Sequence, residues 1–258
     1  MTDGGRGTMT DDQRKWVRRY RSAPDAAVRL VCLPHAGGGA SYYRPMAMAL
    51  SPAVEVLAVQ YPGRQDRAGE PFVADFAELV ERTFAAVLPA LGRPVALFGH
   101  SMGSLVAFEV AKRMEAEGIA PRVLFASSKR PPGQADPELP HTATDRELIA
   151  DIAALNGTEE RLLDNADIRE LFLPVLRADL KALEGYRPDG RPVACPVVAL
   201  TGDDDDRVPV ADAAGWERHT TGRFDLEVFP GGHFYLTGQW DGVGSVITEH
   251  LRAAVPTG

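Results

Sequence analysis

The sequence predicts an α/β fold, a mostly parallel central sheet with helices on both faces and a helical insertion before the last strands. Three observations carry that expectation. Short apolar runs alternate with helical patterns through the first half of the chain. One of those runs enters its helix through a Gly-x-Ser-x-Gly sequence at residues 99–103. The alternation then stops near residue 128 and resumes only near residue 192.

In order, residues 29–33 (RLVCL) read as a strand buried on both faces, ending in Pro34-His35-Ala36-Gly37-Gly38-Gly39. A helix capped at Ser41 is expected over SYYRPMAMAL. Residues 54–60 (VEVLAVQ) make the second strand, which stops at Tyr61-Pro62-Gly63-Arg64. A long helix over about 73–91 places Phe76, Leu79, Val80, Phe84, Val87 and Leu88 on one side. Val95–Phe98 is the strand that feeds the serine turn and the helix after it, and VLFAS (123–127) is the next. Strands joined by crossover helices pair in parallel.

Between Ser128 and about Pro192 no strand pattern is present. Pro131, Pro132, Pro137 and Pro140 make a stiff connector, and helical stretches follow near 144–155, 158–164 and 167–184. Pro174 is predicted to kink or break the last of these. The segment from about 128 to 190 reads as a lid inserted into a single domain over 25–258, preceded by a polar and basic arm, partly flexible, over 1–24. The sheet resumes with CPVVALT (195–201), then an acidic loop, a helix near 210–219, the strand DLEVF (225–229) and a closing helix from about Val243 to Val255.

Composition narrows the function. A chain of 258 residues with 45% apolar content fits one α/β domain with a large core. The net charge of −8 argues against nucleic acid as a partner, although Arg14, Lys15, Arg18, Arg19 and Arg21 are locally basic. Cys32 and Cys195 sit in apolar runs, as reduced thiols of a cytoplasmic protein do. No apolar run reaches membrane-spanning length, and the first residues lack the apolar stretch of a signal peptide. Nothing in the pattern suggests more than a monomer.

The chemistry starts at Gly99-His100-Ser101-Met102-Gly103. In a strand–turn–helix context this sequence exposes the serine hydroxyl at the end of a strand, and a Cβ at either glycine would clash with the neighbouring strand or helix. A serine needs a base that titrates near neutrality, which means histidine. Of His35, His100, His141, His219, His233 and His250, only His233 follows the last strand on a Gly-rich loop at the same sheet edge. Serine, acid and base in that chain order is the α/β-hydrolase arrangement. The acid that fixes the imidazole tautomer lies among Asp203, Asp204, Asp205 and Asp206, and composition does not choose between them. The run lacks the alternating ligands of a calcium loop, so no metal is expected. The oxyanion needs two backbone donors: Met102 N–H supplies one, and the His35–Gly39 loop supplies the other. No Lys-Ser/Thr follows those glycines, so they are not a phosphate loop, and no cofactor is called for.

Five segments taken together, PHAGGG (34–39), VQYPGRQDR (59–67), GHSMG (99–103), LTGDDDDRV (200–208) and PGGHFYL (230–236), resemble the type II thioesterases. These stand-alone enzymes serve polyketide synthases and non-ribosomal peptide synthetases. The resemblance runs from Trp16 through the last helix and includes LFLPVLRADLKALEGY in the expected lid. It implies a catalytic set of Ser101, Asp205 and His233, with Asp206 standing where the family usually has proline. It also implies Ala36 N–H as the second oxyanion donor, and a substrate path touching His35, Gly37 and Phe234. The implied activity is hydrolysis of aberrant or stalled acyl thioesters on the phosphopantetheine arm of acyl or peptidyl carrier proteins. Carrier domains are acidic, so a basic rim of Arg44, Arg64, Arg67, Lys129 and Arg130 is expected around the site. A chain-releasing thioesterase, a general carboxylesterase and a hydrolase-fold binding protein are the alternatives.

Overall fold

A computed structural model describes residues 11–155 and 166–254. Its sheet has seven strands in the order β1-β3-β2-β4-β5-β6-β7. The strands are β1 Val17–Arg18, β2 Val28–Leu33, β3 Val54–Val59, β4 Val95–His100, β5 Leu124–Ser127, β6 Val197–Gly202 and β7 Phe224–Phe229. All neighbours pair in parallel except β1, which runs antiparallel to β3.

The helices are α1 Asp11–Trp16, α2 Arg44–Leu50, α3 Phe76–Val87, α4 Met102–Ala116, α5 Asp145–Ala154, α6 Ala166–Gly185, α7 Val210–Ala213 and α8 Leu236–Ala253. Side chains alternate across each strand, so two cores form. On one face, Val31, Leu33, Leu57, Leu97 and Leu124 meet α3 and α4. On the other, Leu30, Cys32, Val56, Phe98 and Phe125 meet α2 and α8. β2, β3 and β4 are almost entirely buried, which is why they read as unbroken apolar runs.

Several elements depart from the sequence reading. Ser41 caps no helix: a short 3-10 turn, Ala40–Tyr43, intervenes, and Pro45 starts α2 in its first turn. Asp75 caps α3 by accepting the Glu78 N–H, so that helix begins three residues later than periodicity suggested. The closing helix starts earlier, at Leu236, and absorbs a non-helical Gln239. Helix α6 continues through Pro174 instead of breaking there. The helical stretch expected near 158–164 lies outside the described residues.

The N-terminal arm is anchored from α1 onward. Trp16 is buried, meets Tyr61 edge-on at 6.3 Å and carries the Arg67 guanidinium 4.8 Å above its ring. Its backbone continues as the added edge strand β1. A two-residue strand has too little pattern to be seen in sequence.

The insertion between β5 and β6 has its own small core, with Leu148 and Ile152 of α5 against Leu173, Leu176 and Leu180 of α6. Ala36, from the loop after β2, packs against this cluster. A Thr144–Glu147 capping box starts α5. Truncating Trp16 removes a wholly buried indole, so Trp16→Ala should cost about 3–5 kcal/mol in urea unfolding. Lys15→Ala, one residue earlier and exposed, should change stability by less than about 0.5 kcal/mol.

Candidate active site

The loops after β2, β4, β6 and β7 meet at the C-terminal edge of the parallel strands. The turn after β4 is the tightest of them. Ser101 has φ 52° and ψ −124°, a positive-φ backbone that a side chain rarely adopts. Packing holds it there. A Cβ on Gly99 would stand 2.1 Å from Gly103 O, and one on Gly103 would stand 2.0 Å from Leu33 O. Ser101 N–H donates to Ser127 O at 2.8 Å. The buried Ser104 hydroxyl sits 2.9 Å from both Gly99 O and Ser127 O, and accepts the Ser127 N–H. Sequence reasoning missed Ser104; a hydroxyl in the first turn of an otherwise apolar helix face was the available signal.

His233 is buried, with Nε2 3.1 Å from Ser101 Oγ. Its Nδ1 lies 3.0 Å from Asp205 Oδ2 and 3.2 Å from Oδ1. These contacts assign the proton of the neutral ring to Nδ1 and leave Nε2 facing the serine as acceptor. Of the four aspartates, Asp205 alone is buried. Its Oδ1 accepts the backbone N–H groups of Arg207 and Val208. Burial pushes this carboxyl up, but the bond and charge of His233 and the Val208 N–H outweigh it, so the acid stays below its ordinary value and ionised. Asp203 is spent on the backbone, accepting Gly231 N–H at 2.8 Å.

Met102 is the first residue of α4, where a backbone N–H has no acceptor one turn back and the helix dipole is positive. Ala36, His35 and Phe234 line a cavity of about 40 Å³ together with Ser101 and His233. Its far walls come from the insertion: Ile152 and Leu155, then Phe172, Leu176 and Leu180. Charged walls, unforeseen in the sequence, complete it: Glu138, Asp151 and Arg207. Arg207 pairs with Asp151, and Glu138 pairs with Lys129.

The other histidines have different work. His100 Nδ1 bonds Ser127 Oγ, which in turn bonds the Tyr235 hydroxyl. His35 lies edge-on to Tyr42 and Phe234, with both ring nitrogens unpartnered among the described residues. Burial, reinforced by His233 and Arg64, pulls His35 down to about 3. Burial and the same His233 lower His100 as well. Gly37 does not line the cavity; its N–H donates to Asp179 Oδ2 at 2.8 Å.

The expected basic rim is corrected. Arg64 is 5% exposed and paired with Asp179 of α6. Lys129 is 4% exposed and paired with Asp136 and Glu138. Arg67 lies over Trp16, and Arg130 is held by Arg207 O and Asp212. Arg64 and Arg130 have partners distant in sequence, Arg67 has a buried ring, and Lys129 is paired within its own loop with carboxylates seven and nine residues on. Arg44 is exposed.

Sheet order, with a serine turn after β4 and a histidine loop after β7, defines an α/β-hydrolase fold. The model of the thioesterase domain family matches residues 28–253, and the chain belongs to that family. Thioesterase PikA5 of Streptomyces venezuelae is 47% identical over 253 residues, covering 94% of this chain and 89% of that protein. The solved type II thioesterase BorB of the borrelidin cluster superposes with a TM-score of 0.84 at 44% identity, covering 95% of this chain and 99% of that one. YbtT, a type II thioesterase of the yersiniabactin pathway, gives 0.84 at 27% identity, covering 93% and 99%. The chain is a thioester hydrolase.

The two buried histidines make stability depend on pH with a definite sign. The unfolded chain takes up a proton near pH 6.5 and the folded His35 does not until about 3, so acid favours unfolding. Between pH 7 and pH 5, His35 alone should cost about 2 kcal/mol. His35→Gln should flatten the pH dependence of chemical denaturation by that amount, and an unchanged slope would place the imidazole in solvent.

Proposed function

We propose that this chain is a type II, editing thioesterase that removes stalled or aberrant acyl groups from carrier-protein phosphopantetheine. In this reading Ser101 is the nucleophile, His233 the general base and acid, and Asp205 the residue that orients and stabilises the imidazolium. The observation that carries it is the continuous row Asp205–His233–Ser101, whose serine and histidine line a small cavity roofed by the insertion. Likeness to type II thioesterases along nearly their whole length supports the carrier-bound substrate.

The chemistry follows from the geometry. His233 Nε2 takes the Ser101 proton as Oγ attacks the thioester carbonyl. Negative charge collects on the carbonyl oxygen, where Met102 N–H at the α4 N-terminus and Ala36 N–H stabilise it. Collapse expels the pantetheine sulfur, a better leaving group than an alkoxide because a thiol is far more acidic than an alcohol. The proton held on His233 Nε2 passes to it, so the free thiol departs and the imidazole is neutral again. His233 then activates water against the acyl-serine, and the free acid leaves.

A cavity of about 40 Å³ holds no more than a few waters. The pantetheine arm therefore enters by displacing α5, which acts as the lid, while α6 stays tied to the core by the buried Arg64–Asp179 pair. The Arg207–Asp151 pair that ties α5 over the site is partly hydrated and separates at modest cost. Arg44 is the basic group left exposed for an acidic carrier surface.

The test is side-by-side kinetics on an acyl carrier protein, a small acyl thioester and the matching oxygen ester. The carrier-bound thioester should give the highest kcat/KM, and an oxygen ester favoured by orders of magnitude would overturn the assignment. Asp205→Asn should lose about 10³–10⁴ in kcat by leaving the imidazole in the wrong tautomer, while Asp203→Asn stays within tenfold. The reverse pattern would move the acid to Asp203.

A further inference from the structure

The segment that most distinguishes this sequence, residues 59–67, contributes nothing to the serine row. Gln60, Arg64 and Gln65 turn instead to the loop after β2. Gln60 Oε1 accepts Ala40 N–H at 2.6 Å, and Gln60 Nε2 donates to Arg64 O. Gln65 Nε2 donates to Ser41 Oγ at 2.6 Å. Arg64 Nη1 donates to Gly38 O at 3.0 Å. The same guanidinium forms a two-pronged pair with Asp179 of α6, Nη1 to Oδ2 at 2.7 Å and Nη2 to Oδ1 at 2.8 Å. Both side chains are almost wholly buried, at 5% and 1% exposure.

Asp179 has a second task. Its Oδ2 also accepts Gly37 N–H at 2.8 Å. Gly38 N–H donates to His35 O at 3.0 Å, so His35–Gly38 is a closed turn with Ala36 and Gly37 at its centre. Gly37 has φ 77°, the value that the third residue of a type II turn requires. Type I and type II turns differ by a flip of the central peptide, here the one joining Ala36 to Gly37. The bond from Gly37 N–H to Asp179 holds that peptide in the type II orientation. Arg64 holds the next carbonyl and also neutralises Asp179, whose charge would otherwise oppose an oxyanion one residue away.

We propose that Asp179, clamped by Arg64, is a positioning residue for thioester hydrolysis: by holding Gly37 N–H while Arg64 holds Gly38 O, it anchors the turn that directly follows Ala36 N–H and so keeps that donor placed at the reacting carbonyl oxygen. This rests on the reading of Ala36 N–H as an oxyanion donor. Because Asp179 belongs to α6 and Arg64 to the loop after β3, the oxyanion loop is correctly set only when α6 is seated. The distinguishing segment is thus the cradle of the oxyanion loop, and α6 is its keystone.

Removing one charge leaves the other buried and unpaired, so a single variant can fail by misfolding. The double variant Arg64→Met with Asp179→Leu replaces the pair with apolar groups, a change that often preserves stability. On a small acyl thioester, with kcat normalised to the serine that reacts to completion with a phosphonate, kcat should fall about 10- to 100-fold with KM within about threefold. A folded double variant with wild-type kcat would overturn the proposal, since a purely structural pair is then fully replaced. Should that variant not fold, Asp179→Asn is read in the same way: lost kcat at unchanged KM supports positioning, and wild-type kcat overturns it. Arg64→Lys, which keeps a cation near Asp179 but not the fork, should recover part of the rate. Absence of thioester hydrolysis in the wild type, or wild-type rates in Ser101→Ala, would overturn the parent reading instead.

Discussion

Backbone packed directly on backbone is the constraint from which this site follows. Gly103 sits where any side chain would strike Leu33 O, so α4 begins hard against the end of β2. That contact brings the α4 N-terminus beside the loop that starts at Pro34. Gly202 repeats the arrangement at the other end of the site, where a Cβ would stand only 2.1 Å from Gly231 O. It seats the Asp205 loop on the His233 loop. Two missing side chains therefore close four loops onto one point. Ser101, forced to positive φ between them, carries the strain that this closeness requires.

Around that point the polar groups are deeply buried, and each arrangement has a physical consequence. Asp205 remains charged because two backbone N–H groups and His233 compensate its burial. His35 and His100 have no such compensation and stay neutral, presenting uncharged rings beside His233, the imidazole that takes a proton in the proposed mechanism. A cation at either position would repel the imidazolium that the proposed mechanism forms at His233. The Arg64–Asp179 pair adds no net charge, yet orders the loop between them.

Much of this was legible in the sequence because the signals were local. The serine turn announces itself within five residues, and His233 follows from its place after the last strand. Asp205 was different: four adjacent aspartates are alike in composition, and only family resemblance separated them before burial did. The rim failed for the opposite reason. Arg64 looks like a surface cation until the fold brings Asp179 to it, and Lys129 until the loop after β5 folds back to bury it against Glu138. Pro174 within α6 and the short strand β1 were lost because tertiary packing, not local pattern, sustains them.

The central claim is that acyl transfer passes through Ser101. Intact-mass and peptide analysis after rapid mixing with a loaded acyl carrier protein tests it most directly. One acyl group should appear transiently on the peptide containing Ser101. Acylation of a different residue, or hydrolysis that proceeds with water attacking the thioester and no enzyme adduct at any time, would contradict the account.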